Sequence, residues 1–478
     1  MARPILSTDG VTDMTAPSIS APAVQPAFDG LRAAFLRDGG LTLDQRRDAL
    51  KALRRSLIDH ADAYVAAIDA DFRGRSRHET LLTEVVVVLS AIDDTLPRLK
   101  RWAAAKKIRL GFPFWPAAGE IRPQPRGVAG IVAPSNYPLQ LTLMPLIGSL
   151  SAGCRTLIKP SELTPRTADL IASHLGKTFD PSVVAVVTGD AEVARAVTEL
   201  PLDLLLFTGS SRVGAIVAQA AAKQMTPVIL ELGGKSPVVI DRSANLDMAA
   251  EAIVAGKLIN AGQTCVAPDY VLVPRESKDA LIAALQRAAA SLYPQPGNGD
   301  YSAIGSDRAL SRQHDLEKNQ RVISLFDLAV AAPRHTPKVI DAPSPESAVM
   351  QEEIFGPLLP VIAYDDIEEA TATIRGLPSA LVIYWFGEVN DRLDALISRT
   401  QSGAVSINET VLYAGISALP FGGIGPSGWG RYHGKAGFDS FSHERVLFRQ
   451  TRWNIAKMMR PPFGKRADSI LKLLLRNK

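Results

Sequence analysis

The sequence predicts an α/β protein with parallel sheets, on three observations. From Gly127 onward, short apolar runs of strand length alternate with segments of helical periodicity, the pattern of strand-crossover-strand units. Before that, residues from about 27 to 107 read almost entirely as helix, in LDQRRDALKALRRSLIDHADAYVAAI and ETLLTEVVVVLSAIDDTLPRLKRWAA. The length of 478 residues exceeds what one ordinary core serves, so two or three domains are expected.

Taken in order, residues 1–26 combine Pro, Ser, Thr and Ala with no apolar stretch of signal-peptide length, and read as a disordered leader. After the helical entry region, GFPFWPAAGEIRPQPRG is too irregular for a core helix and reads as a loop or edge hairpin. The runs GVAGIVAP, CRTLIKP, SVVAVVTG, DLLLFTG and TPVILELGG are then the strands of one sheet, with helices such as RTADLIASHL between some of them. A second α/β region spans about 234 to 432, with SPVVI, DYVLVP, LLPVIAY and GAVSIN as strands. Gly127 to Cys154 carries no charged residue, so a hydropathy window alone reads it as a membrane span. Pro134, Pro138 and Pro145, with Asn136 and Gln140 among them, argue instead for a buried strand, turn and helix.

Composition narrows the class. Hydrophobic residues at 46% and charged residues at 21% are globular values. Cys154 and Cys265 lack any CxxC or CxxH spacing, so neither a disulfide framework nor a zinc cluster is expected, and a reducing, cytoplasmic location fits. The net charge of +4 comes from the end of the chain: from Thr451 to Lys478 there are eight Lys or Arg and one Asp. The rest is slightly acidic and has no basic stripe with interleaved aromatics, which argues against nucleic acid as the main partner. The basic tail reads as a solvated helix on the body, with an acidic membrane surface as the alternative.

Two segments carry chemistry. Cys265 follows a helix (AAEAIVAGKLI) in the polar, glycine-containing turn NAGQTCVAPDY, an unusual place for a structural cysteine, whereas Cys154 in SAGCRTL fits the ordinary buried kind. Glu231 ends a strand just before Gly233 and Gly234, and strand ends are where α/β sheets bind ligands. Flanked by Leu230 and Leu232, its carboxyl should be pushed up by desolvation toward what a general base near neutral pH needs. Taken singly, each residue keeps a structural alternative: a buried thiol, an ion-paired carboxylate.

Together they resemble a known family. ELGGKSP followed 34 positions after Glu231 by the cysteine of GQTC is similar to the aldehyde dehydrogenase superfamily, and further matches run in order: PSNYP, KPSELTP, FTGSSRVG, EEIFGP and LPFGGIGPSG. The resemblance covers roughly residues 30 to 450. GQTCVAPDYVLVP and PSGWGRYHGKAGFDSFSH resemble the class-three-like branch, and DFRGRSRHET and MMRPPFGK are most similar to its bacterial coniferyl aldehyde dehydrogenases.

That resemblance implies a Rossmann-type NAD-binding domain (27–111 and 126–232), an α/β catalytic domain (233–433), a small bridging β element (112–125 and 434–458), a basic tail (459–478) and a homodimer. It implies Cys265 as thiolate nucleophile, Glu231 as base and Asn136 as oxyanion donor. It puts Lys159 and Glu162 at the adenosine ribose, Gly209, Ser210 and Gly214 at the pyrophosphate turn, and Leu232, Glu353 and Phe355 at the nicotinamide end. Glu162 favours NAD, since a carboxylate repels the 2′-phosphate of NADP, although Lys159 and Ser161 leave NADP possible. FTGSSRVG suits a strand, turn and helix start facing a pyrophosphate. GGIGPSG matches GxGxxG but lacks a preceding strand and reads as a loop.

The implied substrate is an aromatic, coniferyl-type aldehyde, with Tyr137, Trp429 and Phe441 as tunnel residues and no metal. Tyr270 and Tyr432 are further aromatics of these segments, and His433 and His443 are expected to be packing or solvated surface residues with no catalytic role. A fatty aldehyde is the alternative substrate; a cysteine hydrolase or a non-catalytic scaffold are remoter alternatives, set against the cofactor motifs and the presence of all three reacting residues.

Overall fold

The computed structural model describes residues 23–111, 114–297, 299–326, 334–452, 457 and 460–476. In chain order its strands begin with β1 (Lys106–Ile108) and β2 (Ala118–Pro125). Five strands follow: β3 (Val128–Val132), β4 (Arg155–Lys159), β5 (Val184–Val186), β6 (Leu204–Gly209) and β7 (Val228–Leu232). A further seven are β8 (Pro237–Ile240), β9 (Tyr270–Pro274), β10 (Val322–Ser324), β11 (Lys338–Asp341), β12 (Leu358–Tyr364), β13 (Ala380–Phe386) and β14 (Ser402–Ile407). Last come β15 (Gly428–Trp429) and β16 (Ser442–Arg449).

They form three sheets. A six-stranded sheet has the order β15-β7-β6-β3-β4-β5, and a seven-stranded sheet the order β10-β11-β12-β9-β8-β13-β14. In each, all neighbours are parallel except one edge strand, β15 and β10 respectively. The third sheet is the antiparallel trio β1-β2-β16. Parallel neighbours need crossover connections, and helices such as Pro165–Thr178 and Ser211–Lys223 supply them.

The chargeless stretch resolves into β3 and the helix Gln140–Ala152, in which every residue from Leu141 onward is buried. No helix among the described residues is long and apolar enough to cross a membrane.

Three details depart from the sequence reading. Residues 1–22 of the expected leader lie outside the described residues, but Val24–Asp38 is a helix. Val24 and Phe28, one turn apart, bury against Val128, Leu157 and Leu205 of the six-stranded sheet, so the ordered chain begins before residue 27. Besides the short strands β1, β10, β11 and β15, the long strand β13 was not among the expected strands. Its seven residues are all buried, and a short run apolar at every position carries no period that separates strand from helix. Finally, Gly428 and Trp429 fall inside the expected catalytic segment but pair with Glu231 and Leu230 of β7 in the other sheet. A Cβ on Gly428 would lie 2.4 Å from Leu230 O, so only glycine permits that approach.

Candidate active site

Glu231 is the penultimate residue of β7, and the chain leaves that strand through Gly233 and Gly234 into β8. The carboxylate is 3% exposed, and neither oxygen has a hydrogen-bond partner. Burial therefore holds its acid well above the usual carboxylate range, in the direction expected from its leucine neighbours.

Cys265 arrives from the other sheet. The helix Leu246–Leu258 runs into a short turn at Ile259–Gly262, where Asn260 and Ala261 take left-handed conformations. Side chains lock this costly backbone in place. Asn260 Nδ2 donates to Asn136 O (3.0 Å) and Gln263 O (3.1 Å), and Gln263 Nε2 donates to Ala303 O (3.1 Å). Tyr137 Oη and Thr264 Oγ1 share a hydrogen bond of 2.7 Å. Asn136 Nδ2 donates to Gln263 O at 3.1 Å, which leaves its second amide hydrogen for another acceptor. The Cys265 thiol is pushed up first by burial, then by the negative charges of Glu353 and Glu231.

Cys265, Glu231, Asn136, Leu232, Gly209, Ser210, Glu353 and Phe355 all border one cavity of about 720 Å³. A second cavity of about 730 Å³ adjoins it through Gly209 and Ser210 and is bordered by Lys159, Ser161 and Glu162. Ser210 caps the helix Ser211–Lys223, accepting from Val213 N at 3.4 Å, so that helix's free N–H groups start at the junction of the two cavities. Buried Lys159 is ion-paired with Glu162. A third cavity, about 330 Å³ and mainly apolar, reaches Cys265 from the opposite side, bordered by Tyr137, Phe421, Tyr432 and His433.

Three expected site residues sit elsewhere. Gly214 borders none of these three cavities; a Cβ there would meet Leu232 Cδ2 at 2.6 Å, so it serves the close packing of helix on β7. Phe441 is fully buried, its ring against Gly148, with its carbonyl accepting from Cys154 Sγ at 3.2 Å; it is a core residue and lines no tunnel. Trp429, 51% exposed on the edge strand β15, lines none of these cavities either. Tyr270 is buried in the core of the seven-stranded sheet. GGIGPSG forms a loop with a short turn at Gly425–Ser427, and Cys154 is fully buried.

The sequence reading missed the clamp beneath the site. Lys235 Nζ is ion-paired with Asp269 and donates to Val349 O (2.8 Å) and Glu352 O (2.9 Å), while Asp269 Oδ1 accepts from Ile354 N (3.0 Å). Arg312 adds bonds to Glu353 O (2.6 Å) and Ile354 O (2.9 Å). These residues hold the loop that carries Glu353 and Phe355 against the strand of Glu231 and the turn of Cys265. A signal was present: Lys235 lies four residues after Glu231, and Asp269, of opposite charge, four after Cys265. Arg312 had none. Glu353 is held up to about 8, chiefly by burial and then by Asp269, against the Gly234 N–H bond that lowers it. A Cβ on Gly233 would lie 1.9 Å from Glu353 Oε2, so glycine is required for that carboxylate to stand there.

This geometry has counterparts in known proteins. The model of the aldehyde dehydrogenase family matches residues 7–447. A probable coniferyl aldehyde dehydrogenase of Pseudomonas aeruginosa is 42% identical over 461 residues, covering 95% of this chain and 96% of that one. Aldehyde dehydrogenase family 3 member A2 of Rattus norvegicus is 37% identical, over 87% of this chain and 86% of that one. Among solved structures, the substrate-bound state of Staphylococcus aureus AldH superposes with a TM-score of 0.90 at 36% identity, over 94% of this chain and 99% of that one. By fold, motif order and identity along nearly its whole length, the chain belongs to the aldehyde dehydrogenase family, whose members use NAD(P) as oxidant.

Proposed function

We propose that the chain oxidises aromatic, coniferyl-type aldehydes to their acids with NAD as the preferred acceptor, in the cytoplasm and as a homodimer. The observation that carries the substrate reading is the apolar slot behind Cys265. Its volume of about 330 Å³ lies at the small end of ligand pockets, roughly 300–1,000 Å³. Phe421 stacks on His433 (centroids 4.9 Å apart) and stands edge-on to Tyr432 (5.8 Å). Tyr432 Oη and both His433 ring nitrogens are buried without a hydrogen-bond partner. Each such atom costs about 1–3 kcal/mol; the hydroxyl or methoxyl of a substituted ring would satisfy them, and an alkyl chain would not. Burial holds His433 down to about 3, so it faces the slot as a neutral imidazole with one donor and one acceptor.

The residues present fit the cofactor: a glycine turn and helix start at the junction of two cavities, one carboxylate at each end (Glu162, Glu353), and a glycine that keeps Glu353 in place. Glu162 supports NAD over NADP by charge.

In this reading Cys265 Sγ gives its proton up to Glu231 and bonds to the aldehyde carbon, making a thiohemiacetal. The oxyanion meets the free amide hydrogen of Asn136 and the Cys265 backbone N–H, each contributing about 3 kcal/mol. A nicotinamide held by Glu353 and Phe355 would supply the hydride acceptor, and loss of hydride from the thiohemiacetal carbon leaves a thioester on Cys265. Glu231 passes the thiol proton to solvent and, ionised again, removes a proton from the water that attacks the thioester carbon; the acid leaves as the Cys265 sulfur recovers its electrons. The homodimer reading rests on the β1-β2-β16 sheet, where Val446 (70%) and Phe448 (56%) are exposed.

A second reading, a fatty aldehyde substrate, is favoured by Val87, Leu141, Val411 and Leu412 in the same slot. Initial rates of NADH formation at 340 nm with coniferyl aldehyde, decanal and acetaldehyde separate the two. Preference for decanal would replace the aromatic reading, and absence of NADH or NADPH formation with every aldehyde would overturn the oxidation itself.

A further inference from the structure

We propose that His314, Glu317 and His335 form a binding site for a divalent transition-metal ion of the zinc, nickel or cobalt type. His314 and Glu317 lie about one turn apart at the end of the helix Asp307–Glu317, and His335 enters from the segment before β11. Glu317 Oε1 stands 3.4 Å from His314 Nδ1 and 3.7 Å from His335 Nε2, and one ligand atom from each of the three residues lies within 4.8 Å of the others. A tetrahedral ion with bonds of about 2.0–2.1 Å needs ligand atoms about 3.4 Å apart. Two edges are already near that length. The third closes by rotation of His314, whose side chain is 60% exposed.

The outer contacts are those of a metal site. His335 Nδ1 is 2.9 Å from Thr336 O, so it carries the ring hydrogen and Nε2 presents a lone pair, the arrangement of a metal-binding imidazole. That Nε2 has no hydrogen-bond partner, and the side chain is only 1% exposed. Tyr301 Oη donates to His335 O (2.9 Å) and fixes the backbone. Lys338 Nζ holds Glu317 Oε2 at 2.6 Å, which orients the carboxylate and leaves Oε1 facing both rings. Lys338 is the nearest cation and lowers the affinity without occupying the ligand positions. Two imidazoles and one carboxylate suit borderline metals, whereas Mg²⁺ and Ca²⁺ call for oxygen ligands.

The placement gives the ion a lever. Arg312 and Gln313, immediately before His314, hold the carbonyls of Glu353 and Ile354. An ion joining the helix end to His335 would stiffen the support of the loop bearing Glu353 and Phe355.

The test uses the full chain without an affinity tag, carrying Cys265→Ala so that the reactive thiol cannot bind metal. Titration with Co²⁺ should give one ion per chain, weak visible bands and no intense near-ultraviolet thiolate band. Binding should be lost in His335→Gln and kept in His60→Gln, which alters the separate pair of His60 and His174, whose ring centroids lie 3.7 Å apart. Ni²⁺ should raise the melting temperature with increasing concentration, and His335→Gln should abolish that rise. Absence of stoichiometric Co²⁺ binding, or binding undiminished in His335→Gln, would reduce the trio to a hydrogen-bonded latch. Should His335→Gln fail to fold, His314→Gln at the exposed position decides by the same criteria.

Discussion

The two spaces that meet at Cys265 are built on different rules. On one side, Gly209, Ser210, Glu231, Leu232 and Glu353 come from strand ends and turns, where backbone geometry dictates residue type. On the other, Val87, Tyr137, Val411, Tyr432 and His433 come from helices and loops far apart in the chain, and only their side-chain shapes matter. The first space is constrained at nearly every position and suits a shared chemistry. Apart from Leu141, Phe421 and Tyr432, which border both as Cys265 does, residues of the second can vary without touching the first, which is how one fold serves different aldehydes.

The largest test of this division is Cys265→Ser, which should lower turnover with every aldehyde by at least ~10⁴-fold in steady-state NADH formation. Equal loss across substrates is expected because the thiol belongs to both spaces. Glu231→Gln should lower steady-state turnover by about 10²–10⁴-fold and leave a single burst of NADH as acyl-enzyme accumulates. A loss of the burst as well would show that attack itself, and not only hydrolysis, requires Glu231.

Asp269→Asn breaks a buried ion pair and should cost about 3–5 kcal/mol in denaturant unfolding. Because the clamp serves only the polar side, the KM for NAD should rise much more than the KM for aldehyde. A smaller effect concerns pH. Glu353 titrates near 8 in the folded chain against an ordinary 4.5, so its protonated form favours folding. That contribution is full below about 4.5 and is lost as pH rises through 8. The melting temperature of the cofactor-free protein should fall between pH 6 and 9, and fall less in Glu353→Gln. Smallest is Tyr432→Phe, which should reduce kcat/KM for coniferyl aldehyde about 3–10-fold and leave decanal unchanged. An equal change in both would make the Tyr432 hydroxyl irrelevant to discrimination.

The same division explains what could be read beforehand. Nine of the strands were visible as apolar runs, and Glu231 and Cys265 stood out because a carboxylate at a strand end and a thiol in a polar turn break the pattern around them. Gly214 was harder to read, because a glycine in a turn motif has two uses, close approach of a ligand or of a helix, and the Leu232 contact that shows the second lies outside the motif. Trp429 and Phe441 were chosen for aromatic character near the right motif. Their fates, one exposed on an edge strand and the other sealed under Gly148, depend on packing partners hundreds of residues away. The Lys235–Asp269 clamp had a signal in opposite charges four residues after Glu231 and Cys265, but its backbone partners Val349 and Glu352 lie more than a hundred positions on from Lys235.

The pairing of β15 with β7 sets an order of events during synthesis. A ribosome that has made residues 1–427 has produced β7 and its Glu231, yet that edge of the sheet is still bare, and β2 likewise waits for β16. Unpaired edges invite wrong partners, and contacts this distant along the chain close slowly. The nascent protein therefore carries an unfinished active-site sheet until almost its last residues emerge, and a chain that stops short of Gly428 should need a chaperone more than it needs its substrate.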